Sequence, residues 1–240
     1  MLAAPDLFDL THFAYRSLFA GTTFAWEVLP HLEAYIRDQF ATRLRPAVQT
    51  MLPPGAFIEG DVFIGTDTVV EPGALIRGPA IIGRACQIRQ GAYIRGNVIV
   101  GDGCVVGHAT EVKQSVLLNH AHAPHFAYVG DSILGNGVNL GAGVRLANFP
   151  LALPGAAARE DGPSIRLQLA DQVLDTGLLK LGAILGDRVQ LGCNVVTNPG
   201  CIIGPETVVY PLVLLRKGYY PAASIVKAGE RPIVIPQRRP

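Results

Sequence analysis

The sequence predicts an all-β solenoid built from a six-residue repeat. Three observations support this prediction: an aliphatic side chain recurs every six residues, small residues lie between these positions, and turn formers are abundant. The 240 residues include 27 glycines and 18 prolines, and 49% are hydrophobic while only 7% are aromatic. Such a composition is typical of short strands joined by tight turns.

The aliphatic period begins at Ile58 and recurs every six residues as far as Leu118. Its positions are Ile58, Ile64, Val70, Ile76, Ile82, Ile88, Ile94, Val100, Val106, Val112 and Leu118. After a break that adds four residues the period resumes at Tyr128, and after a second break it runs from Leu185 to Leu215. Because one hexad cannot bury its own apolar face, the hexads must stack around a continuous aliphatic column. We count 21 hexads, or seven coils of three hexads each.

The segment before the repeat is predicted to be helical. Residues 6–45 place apolar side chains, including Trp26, near one face at helical spacing, with Pro30 as the expected kink. We expect an N-terminal helical cap over residues 1–50 that closes the open end of the solenoid. Such a cap would cover an unpaired sheet edge.

The repeat itself predicts a solenoid domain over residues 51–216. Within it, alternating apolar residues around Ile165 and Leu167 indicate a β-hairpin insertion at about 149–184. The last segment, 217–240, contains four prolines and a basic end, so we expect an extended C-terminal tail.

Charge and cysteine content narrow the function classes. A formal net charge of +1 and a pI near 7.7 argue against a nucleic-acid surface. No apolar run is long enough for a membrane span, and the first ten residues carry acids where a signal peptide would carry bases, so a cytoplasmic protein is expected. Cys86 and Cys104 are 18 residues apart and would stack, and we interpret them as reduced core thiols.

Two groups of polar residues are candidates for chemistry. His108, His120, His122 and His125 lie within 18 residues, three of them in the first frame break, which we interpret as a loop on a rigid scaffold. At a spacing of 18 residues, three basic side chains would also stack on one face: Arg77, Arg95 and Lys113. Water and nearby acids would compensate this like-charge stack, or an anion such as a sugar phosphate would bridge it.

The segment from Glu111 to Phe149 resembles the acetyltransferase domain of the bifunctional glucosamine-1-phosphate acetyltransferase/uridyltransferases. The shared motifs are Glu111-Val112-Lys113, Ala123 to Asp131 around His125, Val138 to Gly143, and Asn148-Phe149. The exit of the insertion, VLDTGLLKLGAILGD, is similar to archaeal-type sugar-1-phosphate nucleotidyltransferases with a fused acetyltransferase domain. The resemblance implies a left-handed parallel β-helix, a homotrimer, acetyl-CoA as co-substrate and no metal. Phe149 and Pro124 depart from the family's Tyr and Gly, so the resemblance leaves the acceptor's identity open.

The resemblance also implies roles for individual residues. His125 would be the general base, Glu111 a carboxylate that orients it, and the Ala142 N–H the donor to the thioester oxygen. The residues implied to bind the sugar phosphate are Arg95, Lys113, Tyr128, Asn139, Asn148 and Lys180. The residues implied to contact coenzyme A are Ala142, Cys193, Pro211 and Lys227.

The function indicated is an acetyl-CoA-dependent N-acetyltransferase acting on glucosamine-1-phosphate or galactosamine-1-phosphate. Because the sequence contains no glycine-rich nucleotide-binding domain, we expect no nucleotidyl transfer by this chain alone. Two alternatives stay open. One is a zinc enzyme like the γ-class carbonic anhydrases, with His120, His122 and His125 as ligands; the other is a non-catalytic partner of a separate sugar nucleotidyltransferase.

Overall fold

Three parallel sheets wrap the aliphatic column into a three-sided, left-handed β-helix of about nine turns. The computed structural model describes residues 2–151, 162–169 and 172–228. In sheet one the strands are Ala47–Val48, Val62–Ile64, Ala80–Ile82, Val98–Val100, Ser115–Leu117, Ile133–Leu134, Ala183–Leu185, Cys201–Ile203 and Gly218–Tyr220. In sheet two they are Val69–Val70, Gln87–Ile88, Val105–His108, His122–His125, Asn139–Leu140, Gln190–Leu191, Val208–Val209 and Ile225–Val226. In sheet three they are Phe57–Glu59, Leu75–Arg77, Tyr93–Arg95, Glu111–Lys113, Tyr128–Gly130, Arg145–Leu146, Val196–Thr197 and Leu214–Leu215.

The predicted aliphatic period forms the interior column. From Ile64 to Val112 its side chains are buried in one continuous core, and successive turns pair at a spacing of 18 residues, as Ile76 and Ile94 do. The fold class predicted from the sequence is therefore confirmed. The coil count of seven was too low, because short strands at both ends extend the sheets.

The first frame break is not a loop. Val112 pairs with Val129, and Val116 with Ile133, so these turns contain 17 residues instead of 18. The interior side chain after Val112 is Leu117, while Leu118 packs on the outer side of sheet one. The predicted four-residue insertion is thus absent: Val112 and Leu117, and again Val129 and Leu134, are five residues apart, so two hexads are each shortened by one residue. His122 and His125 accordingly lie on a regular strand of sheet two.

The N-terminal segment covers one face of the β-helix and does not cap its end. It consists of a short α-helix at Ala4–Leu7, 3-10 helical turns at Arg16–Phe19 and Ala25–His31, and an α-helix at Leu32–Thr42. Its apolar side chains, Trp26 among them, form one buried cluster with outward side chains of sheet one such as Ile99 and Ile184. We call this segment, residues 2–44, the cover. The outer face of sheet one is apolar over many turns, so burying it outweighs closing one end.

Hydrogen bonds fix the cover along the length of sheet one. Asn119 donates to the His12 carbonyl at 3.0 Å, and Asn136 donates to the Asp9 carbonyl at 2.9 Å. The buried Asp187 accepts from the Asp9 N–H at 2.8 Å. These bonds pair backbone groups of the cover, which would otherwise be unsatisfied where it meets the sheet.

The insertion contains the predicted hairpin, formed by antiparallel strands at Arg166–Leu169 and Gln172–Asp175. Residues 152–161 and 170–171 of the insertion lie outside the described residues, as do residues 229–240 of the predicted tail. The strands Gly218–Tyr220 and Ile225–Val226 join the β-helix, which therefore continues beyond the predicted boundary at residue 216. All four cysteines are free thiols. No helix in the described ranges is long and apolar enough to cross a membrane.

Candidate active site at one corner of the β-helix

One corner, between sheets two and three, brings the predicted base and the predicted oxyanion donor together. His125 ends its strand and pairs with His108 in the turn before it. His122 pairs with Asn139 in the turn after it, and the same register places Ala142 beside His125. The Gly143 N–H donates to the His125 carbonyl at 3.0 Å, which fixes the two turns together. The His125 side chain is exposed at this corner.

The Ala142 N–H is available for a ligand. No acceptor for it occurs in the part of the chain that the structure describes, whereas the Ala142 carbonyl accepts from the Asn194 N–H at 2.8 Å. The flanking Gly141 is required by close stacking, since a Cβ there would lie 2.6 Å from the Cys193 nitrogen. Arg145 braces the corner by donating to the Phe126 carbonyl at 2.8 Å and to the Gly143 carbonyl. The corner therefore presents an open backbone donor on a rigid turn.

His108 lies one turn from His125 in the same column. Its Nδ1 is 3.1 Å from the Gln90 carbonyl, so Nδ1 carries the proton and donates. Its ring packs edge-on against Phe126, with 5.0 Å between ring centroids. The sequence placed His108 in the histidine cluster but assigned it no role.

The predicted basic stack lies on the outer face of sheet three, and acids from neighbouring positions compensate it. Arg77 and Arg95 are paired in register, as predicted. The three ion pairs are Arg77–Glu59 at 2.6 Å, Arg95–Glu111 at 2.6 Å and Lys113–Asp131 at 3.2 Å. Hydrogen bonding to Glu111 raises the pKa of Arg95. The stack is therefore stable without an anion, and a bound phosphate would share these cations with the carboxylates.

Glu111 contacts Arg95 and not His125 within the described residues. It pairs in register with Tyr128, on the strand that follows the corner. Burial raises the pKa of Tyr128 above its usual range, and the nearby Glu111 charge adds to that rise. In a single chain Glu111 thus fixes the guanidinium of Arg95, and its predicted role of orienting His125 stays a prediction.

Most of the predicted acceptor residues gather on the sheet-three side of the corner. The Tyr128 hydroxyl donates to Asn148 Oδ1 at 3.3 Å, and Asn148 Nδ2 donates to Asp131 at 2.5 Å. Lys180, at the end of the insertion, lies 5.9 Å from the centre of the Phe149 ring. Asp131 links Asn148 to Lys113, and it was not singled out from the sequence although it lies within a motif shared with the family.

The remaining candidates lie on the sheet-two side. By the register of the strands, Ala142, Cys193 and Pro211 occupy the same corner in three successive turns. Asn139, predicted to bind the sugar, lines a groove of about 280 Å³ together with Pro211. Lys227 Nζ lies 4.7 Å from the centre of the Tyr210 ring, on the same groove. Asn139 therefore lies among the predicted coenzyme A residues and apart from Tyr128 and Asn148.

The three histidines considered as zinc ligands do not converge within one chain. Across residues 2–151, 162–169 and 172–228, no group of three or more His, Cys, Asp or Glu side chains is placed to hold a metal ion. His122 and His125 are three residues apart on one strand, and His120 lies in the turn before it.

The chain matches a known family and several curated proteins. Residues 76–209, more than half of the chain, match the family described as GMPPB C-terminal domain. The chain is 35% identical over 107 residues to a bifunctional sugar-1-phosphate nucleotidylyltransferase/acetyltransferase of Sulfurisphaera tokodaii, covering 45% of this chain and 24% of that protein. It is 30% identical over 130 residues to the bifunctional protein GlmU of Methanococcus maripaludis, covering 54% of this chain and 29% of that protein.

A further curated relative and a solved structure are also similar to the chain. The uncharacterized acetyltransferase YaiX of Escherichia coli is 35% identical over 108 residues, covering 45% of this chain and 43% of that protein. The solved UDP-N-acetylglucosamine acyltransferase of Campylobacter jejuni aligns with a TM-score of 0.38 at 18% identity, over 73% of this chain and 69% of that one. The chain thus spans less than half the length of the curated relatives it matches. The names of two of them, those from Sulfurisphaera tokodaii and Escherichia coli, contain acetyltransferase and support the expectation of an acyltransferase.

Proposed function

The chain belongs to the family described as GMPPB C-terminal domain, and two of the relatives described above carry acetyltransferase names. We propose that it transfers an acetyl group from acetyl-CoA to the amine of an amino-sugar 1-phosphate. Glucosamine-1-phosphate and galactosamine-1-phosphate are the two acceptors considered. The observation that carries the proposal is the placement of an exposed His125 beside the Ala142 N–H, which has no acceptor among the described residues, at one corner.

These two groups supply what the reaction needs. The amine nitrogen attacks the thioester carbonyl carbon, an N–C bond forms and the C–S bond breaks, and coenzyme A leaves and is protonated to the thiol. His125 takes the proton that the amine loses, and the Ala142 N–H donates to the oxygen that becomes negative in the transition state. No covalent intermediate with the protein is needed.

The corner also separates donor from acceptor. Residues on the sheet-two side, Cys193, Pro211 and Lys227, would contact coenzyme A along the groove that Asn139 also lines. Residues on the sheet-three side would hold the acceptor, with Arg95 and Lys113 toward the phosphate. Both substrates would then meet at His125, which ends a strand of sheet two just before sheet three begins.

Other acceptor contacts follow from the same placement. Tyr128 and Asn148 would place the sugar, and Lys180 would add a further cation from the end of the insertion. The proposal includes a homotrimer, because the cover already occupies the face of sheet one and leaves the faces of sheets two and three open to other copies.

The test is thiol release from acetyl-CoA with purified protein and either sugar phosphate, comparing His125→Ala with the wild type. General base catalysis typically contributes about 10²–10⁴-fold, so we expect the variant to lose at least about a hundredfold in kcat. His122→Ala is the matched control, since it removes a histidine from the same strand without touching the corner. Wild-type turnover by His125→Ala would refute the mechanism. Silence of the wild type with both sugars would point to another acyl pair or to a non-catalytic partner.

A further inference from the structure

Asp131 is a buried carboxylate at the point where sheet three turns toward sheet one. It is 7% exposed and has a φ of 48°, in the left-handed region that Asp and Asn tolerate better than most residues. It accepts from Lys113 Nζ at 3.2 Å and from Asn148 Nδ2 at 2.5 Å. Its N–H donates to the Lys113 carbonyl at 3.1 Å, which fixes backbone and side chain together.

This carboxylate determines where two predicted acceptor contacts lie. Burying a charge is costly unless it is paired and hydrogen-bonded, so Asp131 holds Lys113 and Asn148 in place. Gly130 leaves room for the arrangement, since a Cβ there would lie 2.7 Å from the Tyr128 hydroxyl and 3.0 Å from Asn148 Nδ2. One hydrogen-bonded network on three successive turns thereby joins the side chains of Lys113, Tyr128, Asp131 and Asn148.

The same network fixes the end of the insertion, residues 180–182, which we call its neck. The Leu181 N–H donates to the Asn148 carbonyl at 2.9 Å, and the Gly182 N–H donates to the Asp131 carbonyl at 2.8 Å. These bonds bring the end of the insertion back to the point where sheet three turns toward sheet one, with Lys180 immediately before it. The position of Lys180 near the acceptor side therefore depends on the backbone around Asp131.

We propose that Asp131 is a positioning residue for the acceptor, which holds Lys113, Asn148 and the neck of the insertion in the geometry that recognises a sugar phosphate. This inference rests on the proposed function. Asp131 itself does not contact the reacting atoms, because its carboxylate is buried and already engaged by the two side chains. Its removal should therefore impair acceptor binding and leave donor binding intact.

The test compares Asp131→Asn with Asp187→Asn in steady-state kinetics of the full chain. Asparagine keeps the shape and the tolerance of a left-handed φ but removes the negative charge that pairs with Lys113 and replaces one carboxylate oxygen by a donor. We expect the KM for the sugar phosphate to rise about tenfold or more, with the KM for acetyl-CoA within about twofold. Asp187 is the matched control, because it is also a buried carboxylate that accepts from an Asn side chain, at 3.0 Å, but it lies at the cover. Asp187→Asn should lower the melting temperature and leave both KM values unchanged.

A double variant separates positioning from a general loss of structure. Because Asp131 acts in part through Lys113, Asp131→Asn should raise the acceptor KM by a smaller factor in a Lys113→Met background, where only the contact with Asn148 is left to lose, than in the wild type. Fully additive effects, or an unchanged acceptor KM in Asp131→Asn, would overturn the inference while leaving the proposed function intact. A wild type without turnover on either sugar would overturn both, and that outcome is recognised before any variant is compared.

Discussion

Replacing Ile99 by alanine tests where the N-terminal segment lies. Ile99 is the middle residue of its strand in sheet one, points outward and is fully buried against the cover. The change removes three carbons, worth about 0.8 kcal/mol each in transfer free energy, and it leaves a cavity that adds about 1 kcal/mol. We therefore expect the free energy of unfolding to fall by about 3–4 kcal/mol.

Urea unfolding followed by fluorescence is the assay, because the single tryptophan, Trp26, is buried in the cover and reports its detachment. Ile225→Ala is the matched control: Ile225 also points outward from a strand of the β-helix, but it is 65% exposed on sheet two. Its replacement should change stability by no more than about 0.5 kcal/mol. If Ile99→Ala cost less than about 1 kcal/mol, like the control, the segment would not cover sheet one and would have to lie elsewhere, as an end cap would.

Two further predictions concern the thiols and the pH dependence of stability. Cys193 is exposed whereas the other three cysteines are buried, and burial raises the pKa of Cys104 and Cys201. A thiol reagent at pH 8 should therefore modify one cysteine in the native protein, and acetyl-CoA should slow that modification. Rapid labelling of more than one cysteine would contradict the burial of the other three thiols. Burial also raises the pKa of Tyr15 from 10.0 to about 12, so the neutral phenol's contribution to stability is complete below pH 10 and is lost as the pH rises toward 12. The urea midpoint, measured from about pH 8 to about pH 11.5, should therefore decrease above pH 10, and it should decrease less in Tyr15→Phe. An equal decrease in both proteins would exclude Tyr15 as the cause.

The six-residue repeat could be recognised in the sequence because its period is set by backbone geometry. Each strand of the interior column must return an aliphatic residue to the same side, so Ile64 through Val112 could be assigned without a structure. The frame shift was not readable, because Leu117 and Leu118 are both aliphatic and either could face inward. Only the register between turns shows that the shortened corner turns Leu118 toward the cover.

The sequence also contains a signal for the position of the cover on the outer face of sheet one, but the six-residue period does not include it. Strands of sheet one carry consecutive apolar residues, as in Ala80–Ile82, Val98–Val100 and Cys201–Ile203, and all three residues of each are buried. Such runs are typical of parallel strands that are covered on both faces. Strands of sheet three, such as Tyr93–Arg95, keep an outward polar residue and are covered on one face only.

At the site, a motif shared with a family locates residues but does not show their partners. The sequence placed His125 and Ala142 17 residues apart, and the register of the turns makes them neighbours. It did not show that Glu111 is engaged by Arg95, nor that Asp131 links Lys113 to Asn148, because both depend on side-chain geometry across turns.

The cover also constrains the order in which this protein can assemble during synthesis. The Asp9 N–H binds Asp187, which is separated from it by 178 residues, and the cover packs against Ile202 as well. At about 5–20 residues per second, the cover waits roughly 10–35 s after its own synthesis for the last part of its docking surface. During that interval the apolar side chains of the cover have no complete partner, so the cover docks only after the β-helix that follows it has been made, and the nascent chain depends on its early turns or on chaperones to shield it.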